Sequence, residues 1–161
     1  MSRELNQQKF CGWCGSIVDY NSKWSSTCSS CGYKYYINPK PACTLILISE
    51  NDEVLFVKRA IDPNKGTFDM PGGFMDMSDS TLEDCAYREA KEELGFGRDS
   101  LGAIDYACSV TSPYDWHDSI LQNIVVYFSC RISDKIKNSI DLDTTENSEM
   151  KWVSLYNIED E

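Results

Sequence analysis

The chain has 161 residues, of which 42% are hydrophobic and 12% aromatic, and its formal net charge is −11. This composition predicts one globular domain with room for a small appendage and excludes a disordered chain. The acidic balance argues against strong nucleic-acid binding, and no apolar run approaches the ~20 residues that span a bilayer.

Two matching Cys-x-x-Cys-Gly turns lie in the first 38 residues. The polar N-terminus lacks the apolar core of a signal peptide, so we expect a cytoplasmic protein whose paired cysteines bind metal. Four thiolates fill the tetrahedral shell of one structural Zn²⁺ without an open position, and the alternatives are four unligated cysteines or an iron centre on the same ligands. The four expected ligands are Cys11, Cys14, Cys28 and Cys31.

The other four cysteines are solitary in the sequence. They lie in apolar or helical surroundings, where a free cysteine behaves as a small hydrophobic residue. We therefore expect them to be buried without ligating metal. They are Cys43, Cys85, Cys108 and Cys130.

After the ribbon, the pattern predicts an α+β domain. The two prolines of "INPKPA" predict a linker over 37–42, and the apolar runs "CTLILIS" and "EVLFVKR" around the turn "ENDE" predict a hairpin. A loop, "AIDPNKGTFDM", then leads to Pro71-Gly72-Gly73. A helix is expected over 81–94, with Thr81 as its N-cap and Gly95 as its stop.

Three strands are expected after the helix, over 103–110, 122–132 and 150–153. The loop "TSPYDWHDS" and the polar stretch "SDKIKNSIDLDTTENS" separate them. The predicted organisation is therefore a zinc ribbon over 1–38 followed by a mixed α+β domain over 39–161.

Three glutamates crowd the second half of the predicted helix, at Glu89, Glu92 and Glu93. Helical spacing places them on one side, along the edge of an apolar stripe. Partly desolvated like charges raise one another's pKa, and a hard divalent cation such as Mg²⁺ or Mn²⁺ removes that conflict. A solvated acidic face is the alternative. The apolar stripe consists of Leu82, Ala86, Ala90 and Leu94.

The segment "PGGF" followed by "REAKEELGF" resembles the signature of the Nudix hydrolases, G-x5-E-x7-R-E-U-x-E-E-x-G-U, where U is a bulky apolar residue. The resemblance covers residues from about 39 to 155. It implies the Nudix fold, a mixed β-sheet with a catalytic helix in an α/β/α sandwich. The first glutamate of the signature is absent, since its place falls on Asp79 or Ser80 in a loop one residue longer. We expect this departure to retune the metal geometry without abolishing activity.

The resemblance also implies a role for each matching residue. Glu89 and Glu93 would bind metal directly, and Glu92 would bind a second metal or deprotonate water. Arg88 would hold a helix glutamate through a charge-assisted hydrogen bond. Gly73, with the glycine before it, would let the backbone approach the metal and phosphate closely. Two or more Mg²⁺ or Mn²⁺ ions are expected.

A zinc ribbon ahead of such a domain is similar to the NADH pyrophosphatase branch of the family. That branch has a further metal-binding glutamate several residues before a tryptophan on a late strand. Glu146 lies six residues before Trp152 and is the expected ligand, whereas Glu149 lies only three before it. The branch's Ser-Gln-Pro-Trp-type segment is missing from "SVTSPYDWHDS", which weakens a nicotinamide-dinucleotide assignment.

Four residues are candidates for substrate binding. Aromatic side chains can stack on a nucleotide base, although such residues are more often part of the packing. The aromatic candidates are Phe74, Tyr114 and Trp116, and Arg59 is a further candidate.

The predicted activity is hydrolysis of the pyrophosphate linkage in a nucleoside diphosphate joined to another group, such as NADH, ADP-ribose or a similar dinucleotide. One alternative is a Nudix domain with little or no activity that binds a nucleotide or a partner. A prenyl diphosphate isomerase would need a proton-shuttling cysteine, for which the sequence has no motif. A homodimer is expected only by analogy. The family usually continues into a closing helix, and because this chain ends nine residues after Trp152, we expect that helix to be absent or supplied by a partner.

Overall fold

The apolar runs after residue 40 form a hairpin, as predicted. Strand β3 (Lys40–Ile48) pairs antiparallel with β4 (Glu53–Arg59), with Ile48 opposite Val54. The predicted linker is wrong at its end, because Pro41 already belongs to β3. Proline is tolerated near the start of a strand, where its missing N–H removes little pairing. Its carbonyl still accepts a hydrogen bond from Met75 N at 3.1 Å.

The computed structural model describes residues 9–18, 24–116 and 119–156, with the backbone alone for residues 115, 116, 119 and 121. The chain divides into two compact units, Met1–Lys40 with Thr111–Asn123, and Pro41–Val110 with Ile124–Glu161. In the first unit, the short strands β1 (Ser25–Thr27) and β2 (Lys34–Tyr36) pair antiparallel.

The sheet of the second unit is built around the β3–β4 hairpin. Its strand order is β5-β4-β3-β8-β7, while β6 pairs with β3 and β9 pairs with β4. Ile132 N, just after β8, donates to Ile48 O at the end of β3 at 2.9 Å, so these neighbouring strands run in the same direction and the sheet is mixed. The remaining strands are β5 (Phe68–Asp69), β6 (Gly72–Phe74), β7 (Asp105–Trp116), β8 (Ser119–Arg131) and β9 (Asn147–Ser154).

The loop predicted over 111–119 is largely wrong, since β7 continues to Trp116 and β8 already begins at Ser119. β7 lies at the end of the strand order, where a proline such as Pro113 does not interrupt pairing with a second neighbour. The division into two units falls inside these two strands.

The predicted helix is confirmed almost to the residue as α1 (Leu82–Leu94). The Thr81 hydroxyl caps it by accepting a hydrogen bond from Asp84 N at 3.1 Å, and Gly95 ends it with φ 83°, in the left-handed region that glycine adopts without strain. Its buried side packs into a core cluster with β3 and β4. That cluster includes Leu45, Leu47, Leu55, Ala86, Ala90 and Leu94.

Two single-turn helices were not predicted. They are α2 (Arg98–Leu101) and α3 (Asp134–Lys137), which are too short for an apolar periodicity to reveal them. Each contributes a side chain to the core or its edge, Leu101 and Ile136 respectively. Within the described ranges, no helix combines the length and apolar character that crossing a membrane requires.

The cap of α1 gives a direct stability test. We expect Thr81→Ala to lower the free energy of unfolding by about 1 kcal/mol, because the Asp84 N–H loses its acceptor. The neighbouring Ser80 is exposed and serves as the control, so Ser80→Ala is expected to change stability by less than about 0.5 kcal/mol. Urea unfolding of both variants measures this, and equal losses would contradict the capping role.

Candidate functional site

The four paired cysteines converge in the first unit, as the sequence predicts. Their Sγ atoms all lie within 4.8 Å of one another. The Sγ–Sγ distances are 3.7 Å between Cys11 and Cys31 and 3.6 Å between Cys14 and Cys28. Four sulfurs at about 2.3 Å from one tetrahedral zinc are about 3.8 Å apart, so the cluster fits a structural Zn²⁺.

A glycine completes each cysteine turn. Gly15 and Gly32 have φ values of 73° and 75°, which residues other than glycine rarely adopt. Their N–H groups each donate 2.9 Å hydrogen bonds, to Cys11 O and Cys28 O respectively. The chain thereby folds back under the sulfurs at both turns.

Arg88, on α1, donates hydrogen bonds to three carboxylates and to a backbone carbonyl. Its Nη1 donates to both Glu89 Oε1 and Glu92 Oε2 at 2.8 Å, and its Nη2 donates to Phe74 O at 2.9 Å. Its Nε and Nη2 donate to the carboxylate of Asp79 at 3.1 and 2.9 Å. Hydrogen bonding to Asp79, above all, raises the pKa of Arg88. These contacts place Arg88 against two helix glutamates, and its role in holding them stays a prediction.

Asp79 occupies a position whose role the sequence analysis did not foresee. Its side chain is only 3% exposed and forms an ion pair with Arg88. The hydrogen bonds from Arg88 hold the pKa of Asp79 below its usual value. The aspartate is one methylene shorter than the glutamate of the signature, and its loop is one residue longer. The carboxylate of Asp79 contacts Arg88, so the departure from the signature lies at the residue that anchors Arg88.

The Glu89 carboxylate lies where a side chain on residue 73 would be. A Cβ placed on Gly73 would lie 2.5 Å from Glu89 Oε1 and 2.6 Å from Glu89 Cδ. The backbone and the carboxylate therefore approach each other as closely as the absence of a side chain allows. Burial raises the pKa of Glu89 against the opposing charge of Arg88, and Glu92 and Glu146 raise it further.

Glu93 is the most buried carboxylate of the helix trio, at 6% exposure. Gly72 N donates to its Oε1 and Asn147 Nδ2 donates to its Oε2, both at 3.2 Å. Burial, with the negative charges of Glu89 and Glu146, raises the pKa of Glu93 to about 7 despite these two hydrogen bonds. Both partners that the structure gives Glu93 within the described ranges are neutral.

Glu146 and Glu92 complete the acidic group. Glu146 is exposed, just before β9, and its carbonyl accepts a hydrogen bond from Ala60 N at 2.7 Å. Its charge raises the pKa of both Glu89 and Glu93, so it belongs to the same electrostatic cluster. Glu92 is exposed and pairs with Arg88. Glu149 points elsewhere, since it pairs with Lys58 Nζ at 3.0 Å.

The residues of this cluster fit a hard divalent cation by the chemistry of their donors. All are carboxylate oxygens, and the burial and mutual repulsion of Glu89 and Glu93 are relieved by a cation. In the described part of the chain, only the cysteines bring three ligand atoms within 4.8 Å. The carboxylates of the cluster are thus neighbours, but no three of them each place an oxygen within 4.8 Å of the other two.

The substrate-binding candidates divide between the units. In the second unit, Phe74 is exposed on β6, and Arg59 Nε donates to Pro63 O at 2.8 Å, an interaction that fixes the loop after β4. In the first unit, Tyr114 is half-buried on β7. The side chain of Trp116 lies outside the described residues. Substrate binding by these four residues stays a prediction.

A family model for the NUDIX domain matches residues 38–161. The chain belongs to the NUDIX family. The match spans the mixed sheet, the glycine pair and α1, where the sequence resemblance placed the signature. The fold prediction is therefore confirmed.

Several curated relatives are similar over parts of the chain. An NAD-capped RNA hydrolase NudC of Klebsiella pneumoniae is 34% identical over 54% of this chain and 33% of its own length. One of Chromobacterium violaceum is 30% identical over 76% of this chain and 44% of its own. An ADP-ribose pyrophosphatase of Methanocaldococcus jannaschii is 40% identical over 39% of this chain and 36% of its own. The chain thus spans between a third and less than half of these relatives.

Solved structures agree in fold. A NUDIX hydrolase from Nitrosomonas europaea superposes with a TM-score of 0.60 at 26% identity, covering 94% of this chain and 80% of that one. The NUDIX domain of Shewanella oneidensis NrtR complexed with ADP ribose gives a TM-score of 0.61 at 21% identity, covering 76% of this chain and 77% of that one. At 21% identity, the second likeness concerns the fold alone.

The zinc cluster can be tested by metal content. We expect the purified chain to carry close to one Zn²⁺, and Cys28→Ser to lose most of it because a buried ligand is removed. Cys108 lies outside the cluster and is exposed, so the expectation that it is buried is wrong. Cys108→Ser is therefore the matched control and should retain the zinc. Elemental analysis of the three proteins measures this. Equal zinc content in both variants would show that Cys28 is not a ligand.

The Asp79–Arg88 pair predicts a pH-dependent loss of stability. We expect Asp79→Asn to lower the free energy of unfolding at pH 7 by about 1.5–3 kcal/mol, the net contribution of hydrogen bonds to charged groups. Because the folded-state pKa of Asp79 is depressed, its stabilisation is present above about pH 4 and is lost as the pH falls further.

The difference between Asp79→Asn and the unchanged protein should therefore shrink in acid. Denaturant unfolding at pH 7 and at pH 3 measures it. The exposed Glu50 provides a charge-matched control, for which Glu50→Gln should change stability little at either pH. A loss for Asp79→Asn that is equally large at both pH values would contradict this account.

Proposed function

We propose that the chain hydrolyses the pyrophosphate linkage of a nucleoside diphosphate joined to another group, such as NADH, ADP-ribose or a similar dinucleotide. The observation that carries the proposal is the pair of carboxylates beside Gly72 and Gly73, with Glu93 buried and Glu89 half-buried. The similarity to an NAD-capped RNA hydrolase and to an ADP-ribose pyrophosphatase supports this substrate class.

The acidic cluster is proposed to hold two or more Mg²⁺ or Mn²⁺ ions. Glu89, Glu93 and Glu146 would be ligands, with Glu92 and the carbonyl of Gly73 as further donors. Bound there, the ions would neutralise pyrophosphate oxygens and lower the pKa of the attacking water. Phosphoryl transfer mainly requires positioning and charge neutralisation, so no covalent nucleophile of the protein is needed.

The chain's own residues supply the positioning. Arg88 orients Glu89 and Glu92 through one nitrogen, while Asp79 and Phe74 O anchor the other side of its guanidinium. Glu92 is exposed to the solvent from which the attacking water comes, and it would accept the proton. At Gly72 and Gly73, the space that a side chain would need is already taken by Cys43 O and by the Glu89 carboxylate.

The remaining assignments are part of the same proposal. The ribbon would hold one structural Zn²⁺, with a boundary near residue 38. A cytoplasmic location, a homodimer and the absence of strong nucleic-acid binding stay predictions. A binding module without catalysis is the rival function, and a hydrolysis assay separates the two.

Hydrolysis is tested by a screen of the zinc-loaded chain, with Mg²⁺ or Mn²⁺, over NADH, ADP-ribose, diadenosine polyphosphates and nucleoside triphosphates. We expect metal-dependent cleavage of at least one dinucleotide-type substrate. Glu93→Gln should reduce turnover by at least about 100-fold, since a charged group preorganised at the reacting centre is lost.

Glu149→Gln is the matched control, because Glu149 pairs with Lys58 away from the cluster and should leave turnover close to that of the unchanged chain. Circular dichroism checks that both variants fold. Turnover retained in folded Glu93→Gln would overturn the assigned roles. Binding of ADP-ribose without cleavage of any substrate would favour the binding module.

A further inference from the structure

Asn147 is a buried polar residue to which the signature assigns no role. It begins β9, is 5% exposed, and donates from Nδ2 to Glu93 Oε2 at 3.2 Å. It directly follows Glu146, the expected ligand from outside the helix. Glu146 is thus itself a candidate ligand, and Asn147, the next residue, contacts a second candidate ligand, Glu93.

The position of Asn147 is fixed by its backbone. Asn147 N donates to Asp143 O at 3.0 Å, and Asp143 N donates to Glu93 O at 2.8 Å. On its other side, Asn147 is paired with Arg59 at the end of β4. The segment is therefore tied to the last turn of α1 and to the sheet, which holds the amide at a set place relative to Glu93.

A neutral donor such as the Asn147 amide leaves Glu93 better able to bind a cation than a charged donor would. Arg88 neutralises the charge of Glu89 and Glu92, and a cation must compete with it there. Glu93 instead receives one neutral N–H on each oxygen, from Gly72 and from Asn147. Two donors on opposite oxygens fix the plane of the carboxylate while leaving its negative charge and remaining lone pairs to a cation.

We propose that Asn147 is a positioning residue that orients Glu93 for binding a divalent cation. The inference rests on the proposed function insofar as a cation binds at Glu93. A purely structural role would be to satisfy a buried carboxylate. That role predicts a change in stability but no change in cation affinity.

The test measures Mn²⁺ affinity of the full, zinc-loaded chain by electron paramagnetic resonance, independently of turnover. Asn147→Leu removes the donor while keeping the same branched arrangement of heavy atoms, and we expect Mn²⁺ to bind about 10–100-fold more weakly, as on losing other groups that orient metal ligands. Thr145→Val is the control in the same loop. It removes the Thr145 hydroxyl bonds to Asp143 at 2.8 and 2.9 Å but no contact of Glu93, and it should retain the affinity.

Asn147→Ala is the second variant and carries the test if Asn147→Leu does not fold. We expect it to weaken binding less, because water can enter and donate to Glu93. Unchanged Mn²⁺ affinity in a folded Asn147 variant would overturn the inference, as would an equal loss in Thr145→Val. If the unchanged chain itself binds no Mn²⁺, the cation assignment fails and the inference fails with it. If the unchanged chain binds and the variants bind equally, only the inference fails.

Discussion

The buried carboxylate of Glu93 is the constraint around which the second unit is arranged. Placing a carboxylate at 6% exposure costs several kcal/mol unless its charge is compensated. The structure supplies two neutral hydrogen bonds, which lower the pKa of Glu93. Burial and the nearby negative charges of Glu89 and Glu146 outweigh them and raise that pKa to about 7. A core of apolar residues could fill the same place without this cost. The arrangement therefore suits the binding of a positively charged group.

The surrounding structure separates the carboxylates into two kinds. Glu89 and Glu92 share one nitrogen of Arg88, and that arginine is itself held by Asp79. Glu93 contacts the backbone of β6 and the start of β9 instead. The glycine pair serves both kinds, because a Cβ at residue 73 would collide with Glu89 and one at residue 72 would lie 2.3 Å from Cys43 O. Helix, strand and loop thus each have a defined part in positioning the charges.

Local chemistry explains which parts of this arrangement were predictable. The ends of α1 depend on a capping hydroxyl and a glycine, and the convergence of the four paired cysteines depends on two short turns, so both could be predicted from the sequence. The length of β7 depends on pairing with β8, and the loop predicted there was largely wrong. The contact of Asn147 joins residues 54 apart in sequence, and the contact of Asp79 depends on how the loop before α1 folds back onto Arg88. The spacing around Asp79 flagged a departure, whereas Asn147 carried no signal beyond its place next to Glu146.

The central claim is that cations occupy the acidic cluster around Glu93. The most direct measurement is anomalous diffraction at the manganese edge from crystals of the chain grown with Mn²⁺. The account predicts anomalous peaks at about 2 Å from oxygens of Glu89 and Glu93, the distance typical of small divalent cations. No peak in the cluster, with Glu89 still paired to Arg88 and Glu93 still bound only to Gly72 and Asn147, would contradict it.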